Sequence, residues 1–260
     1  KNIFIKKINL LITLLFSVIT YSQVITYTSV RLEEGQHEAY LDLEKFWSKI
    51  HEQAIKDDLE TGWLIFEVVP VDGDENVENQ PDFLIMNFYQ DSIQMNKEVD
   101  FYKLGRSVYS KLSKKKFDKI WEEGPYGTRN FYQLERLDNT TWLFGDLEIG
   151  TVLTLNAFKQ LDENYEQYEM DFYKKWHNKR ILNGSRKWWE LNRVLSSSEN
   201  GNKDITHVTL DMMGKELSDS EREKFWNEVT FTDRMMWSNG AKTREMINQV
   251  NLKLVMYRFK

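Results

Sequence analysis

The sequence predicts an α+β fold made of two tandem copies of one βαββαβ unit that pack sheet to sheet. Two observations lead to this prediction. Residues 42–69 align without gaps over residues 168–195, and strand-like and helix-like segments follow in the same order around each block. We therefore place the first unit at residues 23–138, a linker at 139–150 and the second unit at 151–260.

The recurring block carries rare residue types at matching positions. His51 aligns with His177, and Trp63 aligns with Trp189. Because histidine and tryptophan are uncommon, their joint recurrence argues for duplication rather than chance. The other identities are Phe46 with Phe172, Lys49 with Lys175, Ile55 with Ile181 and Val68 with Val194.

Segments rich in β-branched and aromatic residues predict four strands in each unit. In the first unit these are Val24–Val30, Gly62–Val69, Asp82–Tyr89 and Thr128–Leu134. In the second unit they are Thr151–Ala157, the aligned end of the block, Ile205–Met212 and Thr243–Val250, the last with a continuation to Phe259 as one long strand or a hairpin.

Two helices are predicted in each unit. The first has apolar residues at steps of three and four, which places them on one face. The second begins at a capping signature, at Asp91 in the first unit and at Ser218 in the second. We expect Gly105 to break the second helix of the first unit. The apolar stripes are Tyr40, Leu43, Trp47, Ile50 and Ala54, and Tyr165, Tyr168, Phe172 and Trp176.

The order β-α-β-β-α-β is that of the ferredoxin-like unit, an antiparallel sheet with both helices on one face. Two such units cover each other's bare sheet face, so the duplicated chain resembles the dimeric α+β barrel superfamily. That superfamily includes antibiotic-biosynthesis monooxygenase-like and stress-responsive barrel proteins. The resemblance rests on element order and duplication and matches no family motif, so it implies the fold and permits several activities.

The first residues have the pattern of a secretory leader. Three lysines lie within Lys1–Lys7, and an apolar run follows over residues 8–20. This run is shorter than the roughly 18 to 20 residues that a membrane span needs. We expect a signal peptide at residues 1–22, export to the periplasm or the extracellular space, and no stable membrane anchor after cleavage. An uncleaved N-terminal anchor is the alternative.

Composition narrows the classes of partner. Without the three leader lysines the chain has 32 basic and 41 acidic residues, a net charge of −9. An acidic surface repels phosphate backbones and anionic headgroups, which argues against nucleic acid and membrane-surface partners. The chain has no cysteine, so burial alone must stabilise it. The sequence leaves monomer and homodimer open.

Sequence motifs for catalysis and cofactors fail in this chain. The segment that begins His51-Glu52 lacks the second histidine of a zinc-protease helix. No serine lies in a nucleophile elbow, and no loop has the spacing of a phosphate-binding motif. The acidic segment Asp72–Asn76 lacks the glycine and the distal glutamate of a calcium loop. We therefore predict no cofactor and no metal site.

The paired histidines are the sharpest candidates for a site. Each lies on a predicted helix and precedes a strand tryptophan by the same distance. An imidazole beside an aromatic helix–sheet cleft could act as a general base or as a donor to a planar ligand. The alternative is that both copies retained a packing residue from their ancestor. The candidate ligand-binding residues are His51, Trp47, Trp63, His177, Tyr173 and Trp189.

Three functions are compatible with these observations, and the catalytic residues remain unknown. The first is binding of a small apolar or aromatic molecule in a barrel cavity, which the surplus of aromatic residues favours. The second, permitted by the resemblance, is a cofactor-independent monooxygenase or a haem-handling enzyme. The third is an interaction module that contacts another protein of the cell envelope.

Overall fold

The computed structural model describes residues 23–69, 80–141 and 147–260. The predicted leader at residues 1–22 and the acidic segment at residues 72–76 lie outside the described residues. Within these ranges, no helix combines the length and the apolar character needed to cross a membrane.

Over residues 23–69 and 80–138, the first unit contains four strands and four helices. Its long helix buries most of the predicted apolar stripe against the sheet and leaves Trp47 partly exposed. Asp91 and Ser113 cap two of the shorter helices through their side-chain oxygens. The elements are β1 (Val24–Arg31), α1 (His37–Lys56), β2 (Gly62–Val69), β3 (Phe83–Tyr89), α2 (Ser92–Met95), α3 (Phe101–Val108), α4 (Lys114–Glu123) and β4 (Thr128–Asn139).

The second unit repeats this order. A complete capping box at Ser218 and Glu221 begins one of its helices, as the sequence predicted. The elements are β5 (Val152–Gln160), α5 (Tyr165–Gln167), a π-helical segment (Tyr168–Tyr173), α6 (Lys174–Leu182), β6 (Arg186–Ser197), β7 (His207–Met213), α7 (Asp219–Asn227), α8 (Phe231–Ala241) and β8 (Arg244–Phe259).

The eight strands form one closed antiparallel barrel in the order β1-β3-β2-β8-β5-β7-β6-β4. Each unit contributes a four-stranded ferredoxin-like sheet, β4-β1-β3-β2 or β8-β5-β7-β6. The units join where β2 pairs with β8 and where β4 pairs with β6. The predicted fold, two ferredoxin-like units in an intrachain α+β barrel, is confirmed.

The barrel interior and the two helix–sheet layers form separate apolar clusters. Side chains that point inward along the strands, such as Phe66, Leu134 and Leu252, line the interior and leave cavities of about 350 and 380 Å³ within it. One charged pair interrupts this interior. Glu190 has no exposed surface, forms an ion pair with Arg136 and accepts a hydrogen bond from Asn192 Nδ2 at 2.9 Å.

Two details differ from the sequence prediction. Gly105 does not break a helix but lies within α3, where the side chains of Ile50 and Phe117 leave no room for a Cβ atom. The second helix predicted for the first unit, with its break at Gly105, is three shorter helices, and the breaks lie on either side of α3. The last strand is one strand of 16 residues, which is the first of the two alternatives that the sequence left open.

The π-helical segment explains a change of register between the two units. Tyr40 and Glu44 correspond to Tyr165 and Glu169, because each glutamate lies four residues after its tyrosine and pairs with the arginine at the start of the unit's last strand. The number of positions between Glu44 and Glu169 is one smaller than the number between His51 and His177. A π-helical turn accommodates such a single insertion without ending the helix.

Candidate functional site

A cavity of about 770 Å³ lies between the sheet and the helices of the second unit. Its floor comes from β5, β6, β7 and β8. Its walls come from the π-helical segment, α6 and α8. The three second-unit candidates His177, Tyr173 and Trp189 all line this cavity, which we call the second-unit pocket.

Aromatic side chains form much of the wall. The ring centroids of Trp176 and Trp237 lie 4.7 Å apart, and the Tyr173 hydroxyl donates to the Trp237 carbonyl oxygen at 3.2 Å. Burial raises the pKa of Tyr173 to about 12, so this hydroxyl remains protonated at neutral pH. The buried Trp176 Nε1–H has no acceptor among the described residues. This wall suits a planar ligand that carries an acceptor.

Polar side chains on adjacent strands form the floor. Arg186 and Asp211 form a buried ion pair. Asn156 Nδ2 donates to Asp211 Oδ2 at 2.8 Å, and Gln249 donates to Asn156 Oδ1 at 2.7 Å. Burial raises the pKa of Asp211, whereas its attraction to Arg186 opposes that rise. The network fixes the arginine at the base of the pocket.

His177 lies on α6 directly above this arginine. Its ring stacks on Trp189 with centroids 4.7 Å apart and an interplanar angle of 24°. Its Nδ1 lies 2.5 Å from an Arg186 guanidinium nitrogen. A guanidinium can only donate, so Nδ1 is the acceptor and the proton of the neutral ring lies on Nε2. Burial, followed by the charges of Arg186 and Arg180, holds the pKa of His177 well below its usual range.

The charges around the pocket do not cancel. Arg186 is paired with Asp211, and Arg244 is paired with the buried Glu169. Arg180 also lines the pocket, and no ion pair joins it to any residue that the structure describes. With a neutral His177, these five charged groups leave one positive charge at Arg180.

The three first-unit candidates occupy a closed core instead. His51 Nδ1 donates to Glu60 Oε1 at 2.6 Å, and its ring stacks on Trp63 at 5.0 Å. Trp47 and Phe101 pack against the same ring at 6.0 and 5.9 Å. In this unit the helix–sheet layer is packed, so His51, Trp47 and Trp63 are brought together as a core cluster.

Solved structures with this architecture cover nearly the whole chain. A candidate monooxygenase from Fusobacterium nucleatum matches with a TM-score of 0.52 and 9% identity, over 93% of this chain and 96% of the other. An anthrone oxidase-like protein matches with a TM-score of 0.50 and 11% identity, over 93% and 94% of the two chains. The chain has the fold of a tandem dimeric α+β barrel. At these identities the likeness extends to the fold alone.

Other comparisons add little to the description of this tandem barrel. A chlorite dismutase mutant from Candidatus Nitrospira defluvii matches with a TM-score of 0.47 and 8% identity, over 92% of this chain and 94% of the other. That likeness is too loose to bear on function. No protein-family model matches the chain, and no curated protein matches it.

The hydrogen bonding of His177 does not fit a role as a ligand of haem iron. An imidazole binds iron through an unprotonated ring nitrogen, and its other nitrogen normally donates to a carboxylate or a carbonyl. In the second-unit pocket the other nitrogen faces a guanidinium donor instead, and Nε2 carries the proton. Among the described residues, no group of three His, Asp or Glu side chains is placed to hold a metal ion.

At equivalent positions, the two units of the tandem barrel exchange hydrogen-bond donors and acceptors. Glu60 in the first unit corresponds to Arg186 in the second, since each lies nine residues after its histidine. Asn87 corresponds to Asp211, since β-sheet pairing places them opposite Trp63 and Trp189. Arg186 was not among the residues predicted from the sequence, although the alignment that pairs the histidines also pairs Glu60 with Arg186. The role of Asp211 needed the strand register.

This contrast predicts different costs for removing each histidine. His51→Ala leaves the buried Glu60 without its closest partner and is expected to lower the free energy of unfolding by about 3 kcal/mol. His177→Ala enlarges an existing pocket and is expected to cost about 1 kcal/mol or less. Urea unfolding of the two variants measures both values. Equal losses would contradict the assignment of one packed and one open histidine.

Proposed function

We propose that this protein binds a small planar aromatic monoanion, such as an aromatic carboxylate, in the second-unit pocket. The observation that carries the proposal is the guanidinium of Arg180, which lines an aromatic pocket and has no ion pair with a described residue. A carboxylate there would form a charge-assisted, bidentate contact in a partly desolvated site. The neighbouring tryptophan rings would stack on the planar part of the ligand.

The side chains that line the second-unit pocket indicate a ligand that differs in one respect from the ligand predicted from the sequence. An apolar or aromatic molecule was expected, but a purely apolar ligand would further desolvate Arg180, which shares the attraction of Asp211 with Arg186 and has no ion pair of its own among the described residues. An acidic group on the aromatic ligand offsets that desolvation. The unpartnered Trp176 Nε1–H offers a further donor to such a ligand.

The same geometry favours binding over a base-dependent oxygenase reaction. A general base needs a free lone pair and a pKa near the working pH. The Nδ1 lone pair of His177 accepts from Arg186, and the pKa of this histidine is lowered well below its usual range. His177 is therefore a hydrogen-bond donor at neutral pH.

Titration with 2-naphthoate tests the proposal, because quenching of the pocket tryptophans reports binding directly. We expect saturable quenching and a matching heat by calorimetry. Arg180→Gln is expected to weaken binding by about 10- to 100-fold, the loss that corresponds to one charge-assisted contact. The matched control is Arg222→Gln, a change at a half-exposed arginine on α7 outside the pocket, which is expected to leave the affinity unchanged.

The neutral analogue 2-naphthamide separates charge from shape. It has nearly the same size and ring system, so a site that recognises only an aromatic surface would bind both compounds equally. We expect at least tenfold weaker binding of the amide to the unaltered protein and nearly equal, weak binding of both compounds to Arg180→Gln. Equal affinities for the unaltered protein would overturn the anionic part of the proposal.

A further inference from the structure

The contact between Arg186 and His177 determines which nitrogen of the imidazole carries the proton. The guanidinium nitrogen lies 2.5 Å from Nδ1, within a buried network that holds the arginine from below. Arginine has no acceptor and stays protonated in proteins, so it cannot exchange donor and acceptor roles with the ring. The tautomer is therefore determined by a neighbour that does not titrate.

We infer that Arg186 is a positioning residue that locks His177 in its Nε2–H form, and that this Nε2–H donates to the anionic oxygen of the bound ligand. The tautomer part stands on the geometry alone. The donor part rests on the proposed function. Together they define a specificity rule: the ligand must present an oxygen acceptor to His177 and a negative charge to Arg180.

The charged groups around the ring support a neutral, donating imidazole. Arg180 lies one helical turn after His177 on α6, and Arg186 faces the ring from β6. The carboxylates of the pocket are each engaged by an arginine, Asp211 by Arg186 and Glu169 by Arg244. Two guanidinium groups thus act on the ring directly, which opposes a positive charge on it.

The first unit supplies an internal comparison. His51 has the same helix position and the same stacked tryptophan, but its Nδ1 faces the carboxylate of Glu60. A carboxylate can only accept, so Nδ1 of His51 must carry a proton. At Nδ1, the two equivalent histidines of one chain should therefore have opposite hydrogen-bonding roles, because His51 donates and His177 accepts.

Nitrogen NMR of the ¹⁵N-histidine-labelled protein tests the tautomer without any ligand. Long-range ¹H–¹⁵N correlations distinguish a protonated from an unprotonated ring nitrogen. We expect His177 to show a bare Nδ1 and a protonated Nε2 with no change between pH 5.5 and 8, and His51 to show a protonated Nδ1. His51→Gln and His177→Gln assign the signals. A protonated Nδ1 or a titrating His177 in that range would overturn the inference.

Arg186→Gln tests the positioning role, because glutamine removes the fixed charge but keeps hydrogen-bonding ability. We expect the bare Nδ1 and protonated Nε2 signals of His177 to be replaced by those of a mixture of the two tautomers, whereas Arg222→Gln should leave them unchanged. If the His177 ring nitrogen signals do not change in a folded Arg186→Gln protein, Arg186 does not determine the tautomer and the inference about Arg186 is wrong. If this variant does not fold, the spectrum of the unaltered protein still decides the tautomer.

Addition of 2-naphthoate tests the donor role. We expect the Hε2 resonance of His177 to move downfield and to become protected from exchange with water, while the His51 signals stay in place. If fluorescence shows binding and the Hε2 resonance does not move, the donor role is refuted and the proposed function stands. If no binding occurs, the proposed function fails and the tautomer result remains a separate finding.

Discussion

Arg136→Met is expected to lower the free energy of unfolding by about 3–5 kcal/mol at pH 8 and by clearly less at pH 5. The reason is Glu190, which has no exposed surface and forms an ion pair with Arg136 inside the barrel. Without the arginine, a carboxylate would remain buried, and the Asn192 side chain would be its one donor among the residues that the structure describes. Protonation at lower pH removes much of that cost.

The sign of this pH dependence follows from the pKa of Glu190. Burial raises the pKa of Glu190 in the folded protein above its unfolded value, and Arg136 opposes that rise. A group with a raised folded pKa stabilises the fold below its unfolded pKa, about 4.3 for glutamate, and loses this contribution as pH rises through the folded pKa. Removing Arg136 raises the folded pKa further, so the loss of stability grows with pH.

Urea unfolding at pH 5 and pH 8 measures the effect. The double variant Arg136→Met/Glu190→Gln is expected to recover much of the stability lost at pH 8, because it removes the buried charge. The control Arg222→Met changes a surface arginine and is expected to stay within about 0.5 kcal/mol at both pH values. Equal losses at pH 5 and pH 8 in Arg136→Met would contradict a buried, ionised Glu190.

Trp189→Ala is the second large effect, with an expected loss of about 3–5 kcal/mol. Trp189 is 1% exposed and packs on the outer face of β6 beside Leu191. Truncation leaves a cavity next to the existing pocket and removes the ring on which His177 stacks. The same change at Trp226, which is 54% exposed, is expected to cost less than about 1 kcal/mol.

Chemical unfolding and ligand titration together separate the two consequences of this change. Trp189→Phe keeps a stacked ring, so we expect a smaller loss of stability and partial retention of 2-naphthoate binding. Trp226→Ala should bind as well as the unaltered protein. Similar losses in Trp189→Ala and Trp226→Ala would show that the Trp189 ring does not contribute to the core.

The sequence predicted the fold because its signals are local and occur twice. The recurrence of His51 with Trp63 as His177 with Trp189 revealed the duplication, and the order of strands and helices then led to the barrel. Gly105 was misread because a glycine within a helix is ambiguous until its neighbours are known. In the structure, Ile50 and Phe117 occupy the space that a side chain would need.

The site was only partly predictable, because the features that distinguish the two units are not local. The six candidates were symmetric between the units, and no residue among them favoured one unit over the other. The distinction depends on Arg186 and Asp211, which come together only through the pairing of β6 with β7. The π-helical segment also escaped a gapless alignment, although it places Tyr173 at the pocket wall.

Closure of the barrel ties the folding of each half to the other. β2 pairs with β8 from Gly62 opposite Phe259 to Val69 opposite Asn251, contacts that join residues 182 to 197 positions apart in the sequence. Such distant pairings form slowly, because a long loop must be ordered before they are made. During synthesis on the ribosome, the edge of β2 stays open until the last strand emerges, and open edges invite association with other chains. Because both halves lie in one polypeptide, they need not associate as separate chains. The barrel nevertheless cannot close until β8 has paired with β2.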